Sequence, residues 1–401
     1  MKNISMPEIL SGEELKSALE IRPLYNEHIR NQDVSNRLLA LSELYSIYIP
    51  SYMSVEIYNK LYLALMHSLR KKDTKQAIIQ QNENHKAIMR REYNGIIGGA
   101  DSFTIIGVSG IGKSSAINRA ISVISKNEVI ELPETKIIPF IMVQCPFDSS
   151  VKGLLLEILR KVDETIDSHY YQNAIRARAT TDMLIGSVSQ VALNHIGVIV
   201  VDEIQNVCMS KHGRNLVGML TQLINNSGTS ICMVGTPECS DFFEQKIQLA
   251  RRSLGLKYSS LRYDKYFDGF CREVFTYQYT KNKASITDGI INWLYEHSAG
   301  ITSVVISLIH DAQEIAIING KEILNLETLN EAYAKRLGMM HDFINIERVV
   351  YDKPNKQKIR IALINNDSET IISECLKESK KINIDFISLL KQRITVEEIK
   401  L

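Results

Sequence analysis

Gly107-Val108-Ser109-Gly110-Ile111-Gly112-Lys113-Ser114 matches G-x-x-x-x-G-K-[ST] at every position. The chemistry such a run serves is the holding of a triphosphate. Its glycines let the backbone wrap tightly enough for successive N–H groups to face one anion. A helix that starts behind the loop, with Ser115 in its first turn, adds the partial positive charge of its N-terminus. Lys113 would reach the β- and γ-phosphates, and the Ser114 hydroxyl would ligate Mg²⁺. The pattern carries weight only between a strand and a helix. Phe103-Thr104-Ile105-Ile106 supplies the apolar strand, and residues 115–125 the helical stretch. A plain Gly-rich turn is the alternative; the full match in this context predicts a site for ATP or GTP.

A phosphate loop alone does not separate kinases, GTPases and ATPases. Val198-Ile199-Val200-Val201 is an apolar run that ends in Asp202-Glu203. There Asp202 would hold the Mg²⁺ shell, directly or through water, and Glu203 would orient and deprotonate an attacking water. Two acids that merely meet solvent at a strand end are the competing explanation. The base-reading pattern N-K-x-D of GTPases is missing where it would fall, which points to ATP. Thr236, in Val234-Gly235-Thr236-Pro237-Glu238, can hydrogen-bond the water or phosphate as a sensor, or simply start a turn. Arg251 or Arg252 could cross a subunit interface to a neighbour's γ-phosphate, or the two could form a surface pair on a helix.

These groups need a sheet to position them. From about residue 96, apolar runs alternate with helical stretches, which implies a parallel α/β sheet. Strands are expected at Thr104–Val108, Ile137–Val143, Gly197–Asp202, Ser230–Gly235 and Glu273–Tyr277. Val198–Val201 and Ile231–Val234 are continuous apolar runs, as strands buried on both faces should be. Before the sheet, residues 1–95 form a helical N-terminal segment, with Ser54 placed to cap a helix that begins at Val55. After the α/β domain of residues 96–280, Ile286–His297, Thr302–Ile318 and Leu326–Leu337 predict a helical lid over 281–345. The break between its first two helices falls at Ser298-Ala299-Gly300. Residues 346–401, with Lys353, Lys356, Lys358 and Arg360, form a tail suited to binding partners.

Composition sets the limits. The chain has 401 residues, room for two or three domains. With 47 Lys and Arg against 46 Asp and Glu, no global field advertises nucleic acid, so any such contact needs a local patch. The six cysteines show no zinc spacing and read as small core hydrophobes. The first ten residues lack a signal-peptide core, and no apolar run reaches membrane-spanning length; the expected location is the cytoplasm, without membrane contact.

The ordered set of Gly107–Ser114, Asp202-Glu203, Thr236, Arg251 or Arg252 and a helical lid resembles the AAA+ ATPases over roughly residues 96–340. Within them, three features resemble the TnsC/TniB transposition regulators: the compact helical segment before the phosphate loop, Gln144-Cys145-Pro146 with the Ser149–Leu159 stretch behind it, and Ser298-Ala299-Gly300-Ile301-Thr302-Ser303 in the lid. The chain departs from the pattern where a lid arginine commonly stands, with Val304 and Val305 instead.

The resemblance implies an ATP- and Mg²⁺-dependent ATPase that assembles as a ring or helical filament on double-stranded DNA of any sequence. Such an assembly links a target-selection protein to transposase subunits, and hydrolysis dismantles it. The segment between the second and third strands is where this family lines its DNA channel; here it holds Lys152, Tyr170, Tyr171, Arg176, Arg178, Thr180 and Thr181. Arg and Thr suit contacts to phosphates that carry no sequence information, although an amphipathic helix with solvated arginines has the same composition. A helicase loader or replication initiator would share the core and the DNA binding. A signalling or defence switch would oligomerise without DNA and normally carries a long additional domain.

Overall fold

Five parallel strands and one antiparallel edge strand make the sheet of this computed structural model. The structure describes residues 8–72, 102–126, 128–132, 135–206, 213–239 and 255–337. All lie in one compact unit, Met1–Asn345. The strands are β1 (Phe103–Gly107), β2 (Ile130–Leu132), β3 (Thr135–Gln144), β4 (Ile196–Asp202), β5 (Ser230–Gly235) and β6 (Leu256–Tyr258), in the spatial order β2-β3-β4-β5-β1-β6. The helices are α1 (Gly12–Leu19), α2 (Val34–Ala40), α3 (Tyr52–Lys72), α4 (Lys113–Ser125), α5 (Val151–Ile166), α6 (Tyr170–Arg176), α7 (Thr181–His195), α8 (Gly213–Ser227), α9 (Lys265–Phe275), α10 (Asp288–Ser298), α11 (Thr302–Ile318) and α12 (Leu326–Ala332).

The central strands are apolar throughout because both their faces are covered. Ile199, Val201, Ile231 and Met233 point into a core closed by α5, α7 and α8. Their neighbours Val198, Val200, Cys232 and Val234 point the other way, against Ile57, Leu61 and Leu65 of α3 and Ala116 and Ile117 of α4. This two-sided alternation explains the unbroken apolar runs. Parallel pairing places β5 between β1 and β4, so the loops after all three strands meet at one edge of the sheet.

One expected strand is a helix. Glu273–Tyr277 falls at the end of α9, whose Phe267, Phe270, Cys271 and Val274 are buried at helical spacing. Asp264 caps it by accepting from the backbone N–H groups of Tyr266 and Phe267, both at 3.0 Å. The fifth parallel strand is the three-residue β6, paired to β1 on the sheet edge. A second correction concerns α3, which begins at Tyr52, three residues earlier than Val55. The Ser54 hydroxyl reaches back to the Ser51 N–H at 2.9 Å and to the Tyr48 hydroxyl at 2.7 Å.

The N-terminal helices serve two cores. Leu15, Leu19 and Tyr58 pack with the sheet, where Arg119 of α4 donates to the Ala18 and Leu19 carbonyls at 2.8 and 2.9 Å. Leu41, Leu44 and Ile47 pack instead with α9, α10 and α11. Arg37 of α2, fully buried, makes a two-pronged ion pair with Glu322 at 2.6 and 2.8 Å and donates to the Tyr279 carbonyl at 3.2 Å. Burial costs such a charge heavily unless it is paired; both terminal nitrogens are held by Glu322 while Nε finds no partner, and this clamp ties α2 to the turn between α11 and α12. Between the two cores, residues 47–54 run as a strap. Among the described residues, no single helix is long and apolar enough to cross a membrane.

Candidate functional site

Gly110 and Gly112 adopt φ of 81° and 91°, the left-handed region that glycine enters freely. Gly112 thereby turns the chain straight into α4, and its carbonyl accepts from the Ala116 N–H at 2.8 Å. Lys113, only 9% exposed, donates to the Gly107 and Val108 carbonyls at 2.7 and 3.0 Å. Burial pushes its ammonium below the ordinary lysine value, while Asp202, Glu203 and Glu238 pull the other way. The Ser114 hydroxyl donates to Asp202 Oδ2 at 2.7 Å, across 88 positions of sequence. A hydroxyl and a carboxylate oxygen side by side are the donor set Mg²⁺ accepts while keeping most of its waters, so these two residues fit the ion.

Glu203 follows Asp202 at φ 57°, an uncommon conformation for a side-chain-bearing residue. Its backbone N–H donates to Asp202 Oδ1 at 2.8 Å, which leaves the Glu203 side chain exposed at the cleft. Thr236 stands after β5, between the two motifs. Its hydroxyl bonds the Glu238 carboxylate and is the main cause that holds that carboxyl below the ordinary glutamate value. Ser109, Gly110, Ser115 and Ser303 complete a cleft of about 300 Å³ that Lys113, Ser114, Asp202, Glu203 and Thr236 also line. A cation, a hydroxyl–carboxylate pair and a solvent-facing carboxylate around a pocket of this size have the charge and reach to hold a triphosphate with a proton acceptor beside it.

Residues 97–258 match the family model described as bacterial TniB protein. The stretch from the start of β1 to the end of β6 is thus similar to that family. No curated protein matches the chain. Among solved structures, the Aeropyrum pernix ORC1 protein in complex with DNA is 14% identical with a TM-score of 0.42, over 64% of each chain. The chain thus spans slightly less than two thirds of that protein. Drosophila ORC bound to DNA is 11% identical with a TM-score of 0.41, over 83% of this chain and 77% of that one. The A. pernix ORC2 protein in its ADP form is 14% identical with a TM-score of 0.39, over 81% and 82%.

A second, larger cleft of about 660 Å³ opens from the phosphate loop, sharing Gly110, Gly112, Ser115 and Ser303 with the first. Its walls come from the strap (Tyr48, Ile49, Tyr52), the β6 end (Tyr258) and the start of α11 (Thr302, Ile306). The Tyr258 hydroxyl donates to Glu56 Oε2 at 3.0 Å, and Tyr266 donates to the Ile49 carbonyl at 2.8 Å. The lid closes directly on the loop. Thr302 Oγ1 and the Ser303 N–H donate to the Gly110 carbonyl at 3.2 and 3.1 Å. A Cβ on Gly110 would collide with Ser303. Val304 and Val305, where a lid arginine commonly stands, are buried in the lid core, so short polar side chains meet the phosphate loop in its place.

Of the sequence-predicted residues, Gly107 to Ser115, Asp202, Glu203 and Thr236 come together at the C-terminal sheet edge. Arg251 and Arg252 lie outside the described residues, as do the basic runs at 70–75 beyond Lys72, Arg90-Arg91 and 346–401. Lys152 is on α5, Arg176 ends α6, and Arg178 sits at φ 49° in the turn before α7; all three are exposed. Thr180 caps α7 by accepting from the Met183 N–H at 3.4 Å, and Thr181 is half-buried behind it. Tyr170 and Tyr171 pack against the core, with the Tyr170 hydroxyl 3.0 Å from His195 Nε2. The strap residues and Gln205 were not singled out from sequence, and Thr302 and Ser303 were read only as part of the lid pattern, not as contacts of the phosphate loop. Only Gln205 had a local signal, three positions past Asp202.

Proposed function

We propose that this chain is an ATP-hydrolysing regulator of DNA transposition that assembles on duplex DNA and links target selection to the transposase. The observation that carries the reading is the Ser114–Asp202 contact at 2.7 Å beside Lys113, within a stretch that matches the TniB model. ATP would lie with its triphosphate along Gly107–Ser115 and its nucleoside in the larger cleft under the strap. Ser114 and Asp202 would hold Mg²⁺, which neutralises phosphate charge when bound. Lys113 would leave the loop carbonyls for the β- and γ-phosphates. In hydrolysis, Glu203 takes a proton from water as the water oxygen bonds to the γ-phosphorus. The bond from that phosphorus to the bridging oxygen breaks, and ADP leaves with the electron pair. Thr236 would exchange Glu238 for the γ-phosphate, and Arg251 or Arg252 would complete the site from a neighbouring subunit.

Lys152, Arg176, Arg178, Thr180 and Thr181 would meet DNA phosphates, a role supported by the exposure of the three cations. The proposed setting is cytoplasmic. Electron microscopy of the full chain with random-sequence duplex DNA tests the whole reading. A slowly hydrolysed ATP analogue should produce rings or filaments on DNA, and ADP should not. Assembly with neither nucleotide, or assembly that ignores DNA, would count against it. Recovery of a replicative helicase in place of a transposase subunit in pull-downs would move the role to helicase loading.

A further inference from the structure

We infer that Gln205 is a positioning residue for the hydrolytic carboxylate, a role that rests on the ATPase reading above. Its side-chain Nε2 donates to Glu203 Oε2. An ionised carboxylate only accepts, so the amide must face Glu203 with its NH₂ end. That choice turns Oε1 inward, toward Gly235, where a Cβ would lie 3.1 Å from it. Among the described residues, this oxygen is buried and has no hydrogen-bond partner.

A buried acceptor without a donor is destabilising. An apolar side chain of the same length would avoid that cost, so the feature that distinguishes glutamine here is the donor aimed at Glu203. The turn that carries it is pinned on three sides. The Ile204 N–H donates to the Val234 carbonyl at 2.9 Å, and the Asn206 N–H to the Glu203 carbonyl at 3.1 Å. Asn206 Nδ2 donates to the Cys145 carbonyl at 2.9 Å, and the Asn206 carbonyl accepts from the buried Ser149 hydroxyl at 2.9 Å. Glu203 itself, exposed and at φ 57°, has no other side-chain partner among the hydrogen bonds described. Gln205 therefore ties a loosely held base to a rigid turn on the wall of the phosphate cleft, which it also lines.

The test is Gln205→Met in the full chain, a change that keeps length and volume and removes the donor. Turnover at saturating ATP should fall by about 10- to 100-fold, the usual consequence of a displaced catalytic group. Affinity for a fluorescent ATP analogue should stay at the parent value, and the melting temperature should be equal or higher. Gln205→Glu, which sets a second acceptor against Glu203, should lose turnover as well. Met and parent turning over alike, or Met turning over faster, would overturn the inference while leaving the ATPase reading in place. A fall in melting temperature and ATP affinity in step with turnover would also overturn it, because it would mark a structural role. A parent chain without turnover would overturn both.

Discussion

The two clefts that meet at Gly110 are built on opposite plans. The phosphate side is polar and comes from three loops at one sheet edge, each set by a short contiguous motif, with Ser303 of the lid added. The nucleoside side is largely apolar and is assembled from the strap, β6, α9 and α11, more than 200 positions apart. The first depends on the sheet, which is buried on both faces. The second depends on whether the N-terminal segment stays attached to both the sheet and the lid. On the proposed reading, the chemistry would be placed by the sheet and the fit around the nucleoside by contacts to the N-terminal segment and the lid.

The sharpest way to separate the two is to remove chemistry from the first alone. Glu203→Gln keeps the shape of the side chain and removes its basicity, so ATP turnover should fall by roughly 100- to 10,000-fold. Binding of a fluorescent ATP analogue should be retained, because the nucleoside cleft is intact. Parent-like turnover would take the base role away from Glu203.

Arg37→Ala attacks the second plan without touching either cleft. It leaves Glu322 in a half-buried turn without its counter-charge and with only the Lys281 N–H at 3.1 Å, which should cost about 3 kcal/mol in a urea melt. The Arg37 hydrogen bond holds the Glu322 carboxyl below its ordinary value. A lowered value contributes stability above the ordinary glutamate range and loses it as pH falls through the folded value. The gap between parent and variant should therefore narrow in acid. A gap independent of pH would mean the clamp acts by packing.

Gly110→Ala strikes where the clefts join. Its φ of 81° and the adjacent Ser303 leave no room for a methyl group, so a loss of about 1–3 kcal/mol is expected in thermal melts. ATP affinity should fall as well, since the loop and lid can no longer close together. An unchanged melting temperature would show that Gly110 and Ser303 are not held in contact.

The smallest effect is expected away from both clefts. Arg176→Ala with Arg178→Ala should weaken duplex binding for every sequence. It should also flatten the salt dependence by roughly one log–log unit per lost phosphate contact, with ATP binding by the isolated chain unchanged. An unchanged slope would place the DNA surface elsewhere, with Lys152 next to test.

The same contrast explains what could be read from sequence. Gly107–Ser114 and Asp202-Glu203 are legible because phosphate and metal chemistry needs those residues in fixed, adjacent positions. The apolar runs of β4 and β5 are legible because burial on both faces forbids polar residues. Glu273–Tyr277 misled because Val274, Phe275 and Tyr277 are strand-favouring types. The spacing of Phe267, Phe270, Cys271 and Val274 behind an Asp264 cap was the better signal. β6 has three residues on a sheet edge with no apolar run to show it. The larger cleft had no local signature: Tyr48, Tyr52 and Tyr258 are ordinary where they stand and meet only in the fold, through the pairing of β6 with β1 and the Tyr258–Glu56 hydrogen bond.

Titration of a fluorescent ATP analogue into the full chain and into Lys113→Ala tests the nucleotide site most directly. Lys113 is the one side-chain cation lining the phosphate cleft among the described residues. Its removal should weaken binding by roughly 100-fold, through the loss of charge-assisted contacts to the phosphates. Equal affinity in the two proteins would contradict the assignment of Gly107–Ser114 as the triphosphate cradle.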